Sequence, residues 1–182
     1  MGRVPNTWVL MGALLMLSAR TAGAQDRPQT IPSRDVDIFY TMTRSGQTLQ
    51  EHTRWRAEAQ EERVDPPGRD LHFIMDHRQH RAWLVNDARH TVMEMAAPRD
   101  APADPASFAR QSDAIIAGHT CTDWATSGAG PQTVLCLTTD GVLLRVQANG
   151  HTLIEATEVN YAPADPALFT IPSTYTHTAP PT

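Results

Sequence analysis

The sequence predicts a mainly β protein: a curved antiparallel sheet, half open as a barrel, with one or two short helices and one disulfide hairpin. Three observations predict it. Short segments that alternate apolar and polar residues recur from Asp35 to Tyr161 with turn residues between them, the spacing of an antiparallel β-architecture. The only two cysteines, Cys121 and Cys136, flank the Gly-rich stretch Ser127-Gly128-Ala129-Gly130. Asp140-Gly141 and Asn149-Gly150 mark tight reversals late in the chain, and Asn-Gly is among the strongest short-range hairpin signals.

Residues 1–24 read as a secretory signal peptide. Arg3 supplies the positive charge, residues 8–17 are ten largely apolar residues, and Ala22-Gly23-Ala24 offers a cleavage site after Ala24. A membrane span needs roughly 20 apolar residues, so the chain is not expected to span a membrane. No cysteine follows the cleavage site, so no lipid anchor is expected, and the protein is expected to be periplasmic or secreted. Without Arg3 and Arg20, thirteen basic residues face twenty acidic ones, a net charge of −7. That charge disfavours nucleic acid and anionic lipid surfaces as partners. Every basic residue is Arg, which excludes lysine Schiff-base chemistry.

Residues 25–34 are polar with two prolines and read as a flexible lead-in. One β-rich domain then covers residues 35–172. Val36, Ile38, Tyr40 and Met42 alternate with Asp35, Asp37 and Thr41, the period of a half-buried strand, with Phe39 as the outer-face exception. Residues 44–47 read as a turn. Alternation resumes over residues 49–57, where Thr53, Trp55 and Ala57 oppose Arg54, Arg56 and Glu58. Residues 58–62 are enough for one helical turn, but between strand-like segments they read as a strand continuing into Arg63-Val64-Asp65. Pro66-Pro67-Gly68 ends it. Residues 71–76, 81–86 and 91–95 follow as short strands, joined by turns at residues 77–79 and 86–88.

Residues 96–106 carry three prolines and read as a connection. Asp104-Pro105 has the form of an N-cap with Pro at the first helical position, so a helix over residues 105–112 is expected to present Phe108 to the core. The cysteine hairpin comes next. A two-residue turn at Gly128-Ala129 suits a type II′ connection and sets Cys121 directly across from Cys136, with Pro131 where no N–H is needed; a bulge would shift that register. Two cysteines in an exported chain favour a structural disulfide over a redox pair, since no C-x-x-C spacing is present. Strands over residues 142–147 and 152–161 complete the sheet, and the tail, residues 173–182, reads as disordered.

Residues 90–108 and 151–169 align without a gap, with ten of nineteen positions identical. Duplication and a shared solution in an Ala- and Pro-biased chain both account for this. Either way, Phe108 and Phe169 are expected to pin equivalent helical turns against the sheet. The cluster His77-Arg78-Gln79-His80-Arg81, with Asp76 and His72 nearby, has the residue types of a metal site. It sits on a predicted turn and reads as a solvated hairpin tip, so neither metal nor cofactor is expected. His90 and His151 occupy matched positions that favour packing or turn roles. Glu94, Glu155, Asp35 and Asp37 show no spacing that selects for acid/base work, and no catalytic residue is assigned. Trp55, Phe73, Met75, Trp83, Met93 and Met95 all fall on predicted strands. One sheet face overstocked with such groups lines a ligand cavity; the alternative is that they fill a core beneath the short helices.

The strand Asp35-Val36-Asp37-Ile38-Phe39-Tyr40, then Arg63-Val64-Asp65, Phe73-Ile74-Met75-Asp76, Trp83-Leu84-Val85 and Ala117-Gly118-His119-Thr120-Cys121, resemble an exported bacterial family of unknown function. The ending Asp165-Pro166-Ala167-Leu168-Phe169-Thr170-Ile171-Pro172 with Tyr175 belongs to the same pattern. That family's architecture is similar to the lipoprotein-carrier (LolA/LolB-like) superfamily. The resemblance covers most of the chain beyond residue 24. It implies a strongly curved antiparallel sheet whose concavity shelters acyl chains, and no enzymatic activity. The expected function is therefore a non-catalytic periplasmic module that shelters a hydrophobic small molecule, lipid or lipid-modified segment. The alternative is an envelope interaction protein with a packed core.

Overall fold

Alternating side chains build a single sheet in the computed structural model, which describes residues 27–44, 46–97, 108–127 and 132–179. The strands are β1 (Val36–Arg44), β2 (Gln47–Arg56), β3 (Glu61–Asp65), β4 (Leu71–Asp76), β5 (Arg81–Asn86) and β6 (Thr91–Ala96). They continue as β7 (Phe108–Ile116), β8 (His119–Thr126), β9 (Thr133–Leu137), β10 (Leu143–Ala148), β11 (His151–Asn160) and β12 (Thr176–Thr178). Their order across the sheet is β12-β6-β5-β4-β3-β2-β1-β11-β10-β9-β8-β7. Every pairing is antiparallel except that of β12 with β6. β7 and β11 stand four strands apart in that order, about 19 Å in a flat sheet, yet they touch. The β7–β11 half is therefore rolled up, while β2 to β6 stays open. This is the half-open barrel the sequence predicts.

The largest core cluster joins Val36, Ile38, Tyr40 and Trp55 to Val142, Leu144, Ala156 and Val159, with Cys121 and Cys136 inside it. Burial of each such aliphatic side chain contributes about 1.5–3 kcal/mol. A second cluster, Ile74, Val85 and Val92, is covered by Ile171 and Tyr175. A third holds Phe108, Trp124 and Leu137. The Cys121–Cys136 disulfide is formed, with its Cα atoms 5.4 Å apart. Its expected register is corrected: Asp123, not Cys121, lies directly opposite Cys136, and the last pair is Thr126 with Thr133. Six residues separate that last pair where the sequence reading placed a two-residue turn; Gly128, Ala129 and Pro131 lie outside the described residues.

Further expectations are overturned. Residues 57–60 form a turn, and only Glu61 and Glu62 run on as strand into Arg63-Val64-Asp65. The chain reverses between β2 and β3, and Gln60 closes the turn at φ 55°. Both arrangements have period 2, so alternation alone does not distinguish them; residue parity does. Trp55 and Val64 share a face only if the chain turns back between them.

The helix over residues 105–112 is absent from Phe108 onward, where β7 begins. A sheet-edge strand buries little, and only Phe108 and Ile116 at its ends are buried. Its polar middle therefore carries no strand signal. Ala117 (φ 48°) and Gly118 (φ 79°) make the two-residue turn into β8. Asp104 and Pro105 of the first copy lie outside the described residues; in the second copy the Asp-Pro start is realised. There a 3₁₀ helix, Pro166–Phe169, is capped by Asp165, whose carboxylate accepts the Ala167 N–H. Phe108 and Phe169 thus have different roles.

The tail is not disordered through Thr178. The Thr176 N–H donates to the His90 carbonyl at 2.9 Å, and β12 pairs with residues 91–93. The lead-in is held as well. The Trp55 indole N–H donates to the Pro32 carbonyl at 2.9 Å, and the Ser33 N–H to the Asp140 carbonyl at 2.9 Å. Arg34 grips the Asp140 carboxylate at 2.8 and 3.0 Å. Gly141 makes room for this segment: at φ 89°, an added Cβ would stand 2.5 Å from the Ile31 carbonyl oxygen. The expected signal peptide, residues 1–24, lies outside the described residues.

Candidate functional site

Directly opposed residues of a sheet share a face, and no register shift interrupts the pairings from β1 to β6. One row across these strands runs Val36, Trp55, Glu62, Met75, Ala82, Met95. The row beside it, on the same face, runs Ile38, Thr53, Val64, Phe73, Leu84, Met93. Five of the six expected lining residues therefore share one face, the face of the main core. Among them Trp55 and Met75 are buried, and Phe73, Met93 and Met95 are half-buried.

Trp83 is the exception. It belongs to the row Asp37, Arg54, Arg63, Ile74, Trp83, Glu94 on the opposite, outer face. There it packs with Ile74, Val85 and Val92 beneath Ile171 and Tyr175, and Arg81 lies 4.8 Å over its ring. The four-residue turn between β4 and β5 sets Ile74, not Phe73, opposite Trp83.

The inner rows lead into a cavity of about 240 Å³ between β1, β2 and β3 on one side and Leu143 and Ile154 on the other. Residues 30–32 of the lead-in form another wall. Trp55 is the one predicted lining residue that reaches it. Its members Glu51, Glu62 and His77 are acidic or imidazole groups that the sequence reading missed. His77 was expected on a solvated tip. Its Nε2 instead lies 3.0 Å from the Glu62 carboxylate, and its ring meets Trp55 edge-on at 5.0 Å. The available signal was parity, since His77 continues the series Phe73, Met75 along one face. Burial, together with the neighbouring Glu62, holds the Glu51 carboxyl above its ordinary range. Burial, with Glu62 and Glu51 nearby, raises the Tyr40 phenol strongly. It stays a donor, to the Leu143 carbonyl at 2.6 Å.

The curled sheet has solved counterparts. An uncharacterized conserved protein of Thermus thermophilus superposes with a TM-score of 0.59 at 13% identity, covering 81% of this chain and 91% of that one. MucB superposes with a TM-score of 0.58 at 14% identity over 81% of this chain and 60% of MucB. A chain of the Pseudomonas aeruginosa MucA/MucB complex gives 0.53 at 18% identity, over 74% of this chain and 54% of that one. This chain thus spans little more than half the length of the MucB chains it matches. Identities this low establish the fold alone. No known family model matches the sequence, and no curated protein matches it either.

Most of the other titratable groups singled out in the sequence are committed to structure. Asp35 accepts the Ala57 and Ala164 N–H groups at 2.8 and 2.9 Å, tying β2 to the segment after β11. Asp37 is bonded to His52, whose ring stacks on Phe39 at 3.9 Å. Glu94 holds Arg81 at 2.9 and 2.8 Å, and Glu155 lies 3.9 Å from Arg145. His72 pairs with Asp87 at 3.0 Å, Asp76 caps the Gln79 N–H, and His80 sits exposed at φ 53°. His90 closes the β5–β6 turn at φ 50° beside Tyr175, and His151 is exposed at the start of β11. Among the described residues, no three His, Cys, Asp or Glu side chains group as metal ligands, and no helix is long and apolar enough to cross a membrane.

Proposed function

We propose that this protein is a non-catalytic envelope binding module whose inner sheet face shelters a hydrophobic ligand, lipid or lipid-modified segment. The observation that carries it is the shared face of Trp55, Phe73, Met75, Met93 and Met95, which runs into the cavity beneath residues 30–32. Met and aromatic side chains adapt to irregular apolar shapes, and the open β2–β6 half leaves this face approachable from its edge. A LolA-like carrier architecture fits the same geometry. The buried disulfide and the export signal of residues 1–24 favour a periplasmic or secreted location.

A second reading, an envelope module that binds a partner protein, draws on a fold neighbour solved as a MucA/MucB complex. Two measurements separate the readings: native mass spectrometry with organic extraction of the purified protein, and titration with a neutral apolar fluorophore. Sheltering predicts a co-purifying lipid and fluorophore binding that Phe73→Asp abolishes while Ile115→Ser, at a site 75% exposed, leaves it intact. A clean apo mass with no fluorophore uptake by the folded protein rejects sheltering in favour of the protein-partner reading.

A further inference from the structure

Charge of one sign gathers where the cavity lies. Glu51, opposite Tyr40, and Glu62, opposite Trp55, both border it. Glu62 is held by His77, but Glu51 has no hydrogen-bond or ion-pair partner among the described residues. The Tyr40 hydroxyl is spent on the Leu143 carbonyl. Arg54, Arg56 and Arg63 stand on the same two strands but bind Asp65 and Glu61 on the outer face. A half-buried carboxylate beside a second one, with no cation supplied by its own strands, is unfavourable. A positive charge brought by a ligand relieves both the burial and the repulsion.

Most of the remaining wall is apolar, with Val36, Ile38, Trp55, Leu143 and Ile154 alongside Thr30 and Thr53. With two carboxylates set against this largely apolar wall, the matching cation is an organic one with an apolar body. A volume of about 240 Å³ lies just below the range of drug-sized sites. It suits a side-chain-sized group. Trp55 adds a large flat surface for the apolar body to pack on.

We propose that this cavity binds an organic cation, an ammonium or guanidinium on an apolar body, with the charge between Glu51 and Glu62 and the body against Trp55, Leu143 and Ile154. The proposal rests on the reading of the inner face as the binding face, and it names the chemistry that face selects.

The test is calorimetric titration of the purified protein at pH 7 with octylammonium, octylguanidinium, octanol and octanoate, each below its aggregation concentration. The expected result is that both cations bind about tenfold more tightly than octanol and that octanoate does not bind. Glu51→Gln is expected to erase the preference while octanol binding persists. That variant breaks no hydrogen bond or ion pair in the described structure, and a thermal melt confirms its fold.

Equal affinity for octanol and octylammonium overturns the proposal, as does a preference that survives Glu51→Gln. If the neutral fluorophore still binds in either case, the sheltering reading stands alone. If nothing binds, both fall. A parallel titration with acetyl-Val-Arg-Val-amide and its citrulline counterpart assigns the source. Preference for arginine points to a side chain of a partner segment, and preference among the alkyl cations only points to a small molecule.

Discussion

Glu51 shows how a single residue is held against its own preference. Its carboxyl is raised from 4.5 by burial first and by Glu62 second, so the folded state binds its proton more tightly than the unfolded chain does. This group therefore costs no stability well below pH 4.5. Its penalty grows as pH rises from the unfolded value through the folded one and is complete above both. Glu51→Gln is expected to raise the melting temperature at pH 7, with the gain shrinking to nothing as pH falls below about 4.5. Melts of both proteins across pH 3–8 check this, and a variant less stable than the parent at pH 7 would contradict it. Asp140 behaves oppositely. Burial pushes it up, but the Thr138 hydroxyl and Arg34 outweigh burial and lower it. Neither role was legible in the sequence. Glu51 looks like any polar residue on an alternating strand, and Arg34 stands 106 residues from Asp140.

At the scale of elements, most strands were legible and several connections were not. Residues 71–76 and 81–86 match β4 and β5 because both faces of these strands carry apolar groups between strong turn signals. The reversal at residues 57–60 was missed because Gln60, like His80 and His90, adopts positive φ without being Gly, so no residue type announced the turn. β7 was missed because an edge strand needs little apolar content. The cysteine hairpin was identified but its register was not, because loop length rather than composition sets register. With two fully buried cysteines at a sequence separation of 15, replacing both by Ala is expected to cost about 3 kcal/mol. Denaturant unfolding of the oxidised parent and the double variant measures this. A loss below about 1 kcal/mol would mean that the reduced chain already holds β8 and β9 together.

Over the whole molecule, the sheet has one rolled end and one open end, and β12 covers the edge of the open end. Thr176–Thr178 is short and exposed, yet it occupies the β6 ladder, while Tyr175 seals the second core cluster and bonds Asp87 at 3.0 Å. Removing residues 173–182 bares the β6 edge, which templates pairing with another chain. The truncated protein is expected to keep its β-type circular dichroism and to self-associate in size-exclusion chromatography. A stable monomer would show that the edge is protected by other means.

The sequence by itself determined the β class, most strand positions and the disulfide pair. Each depends on local period or on residue type, which a strand expresses wherever it is placed. Only the tertiary structure decided which strands are neighbours, that Trp83 faces away, and that the lead-in and tail are bound to the sheet. It also decided that Glu51, Glu62 and His77 meet in one cavity. Those outcomes depend on turn lengths and on contacts between residues far apart in the chain, and the free energy of such contacts exists only once the sheet has curled.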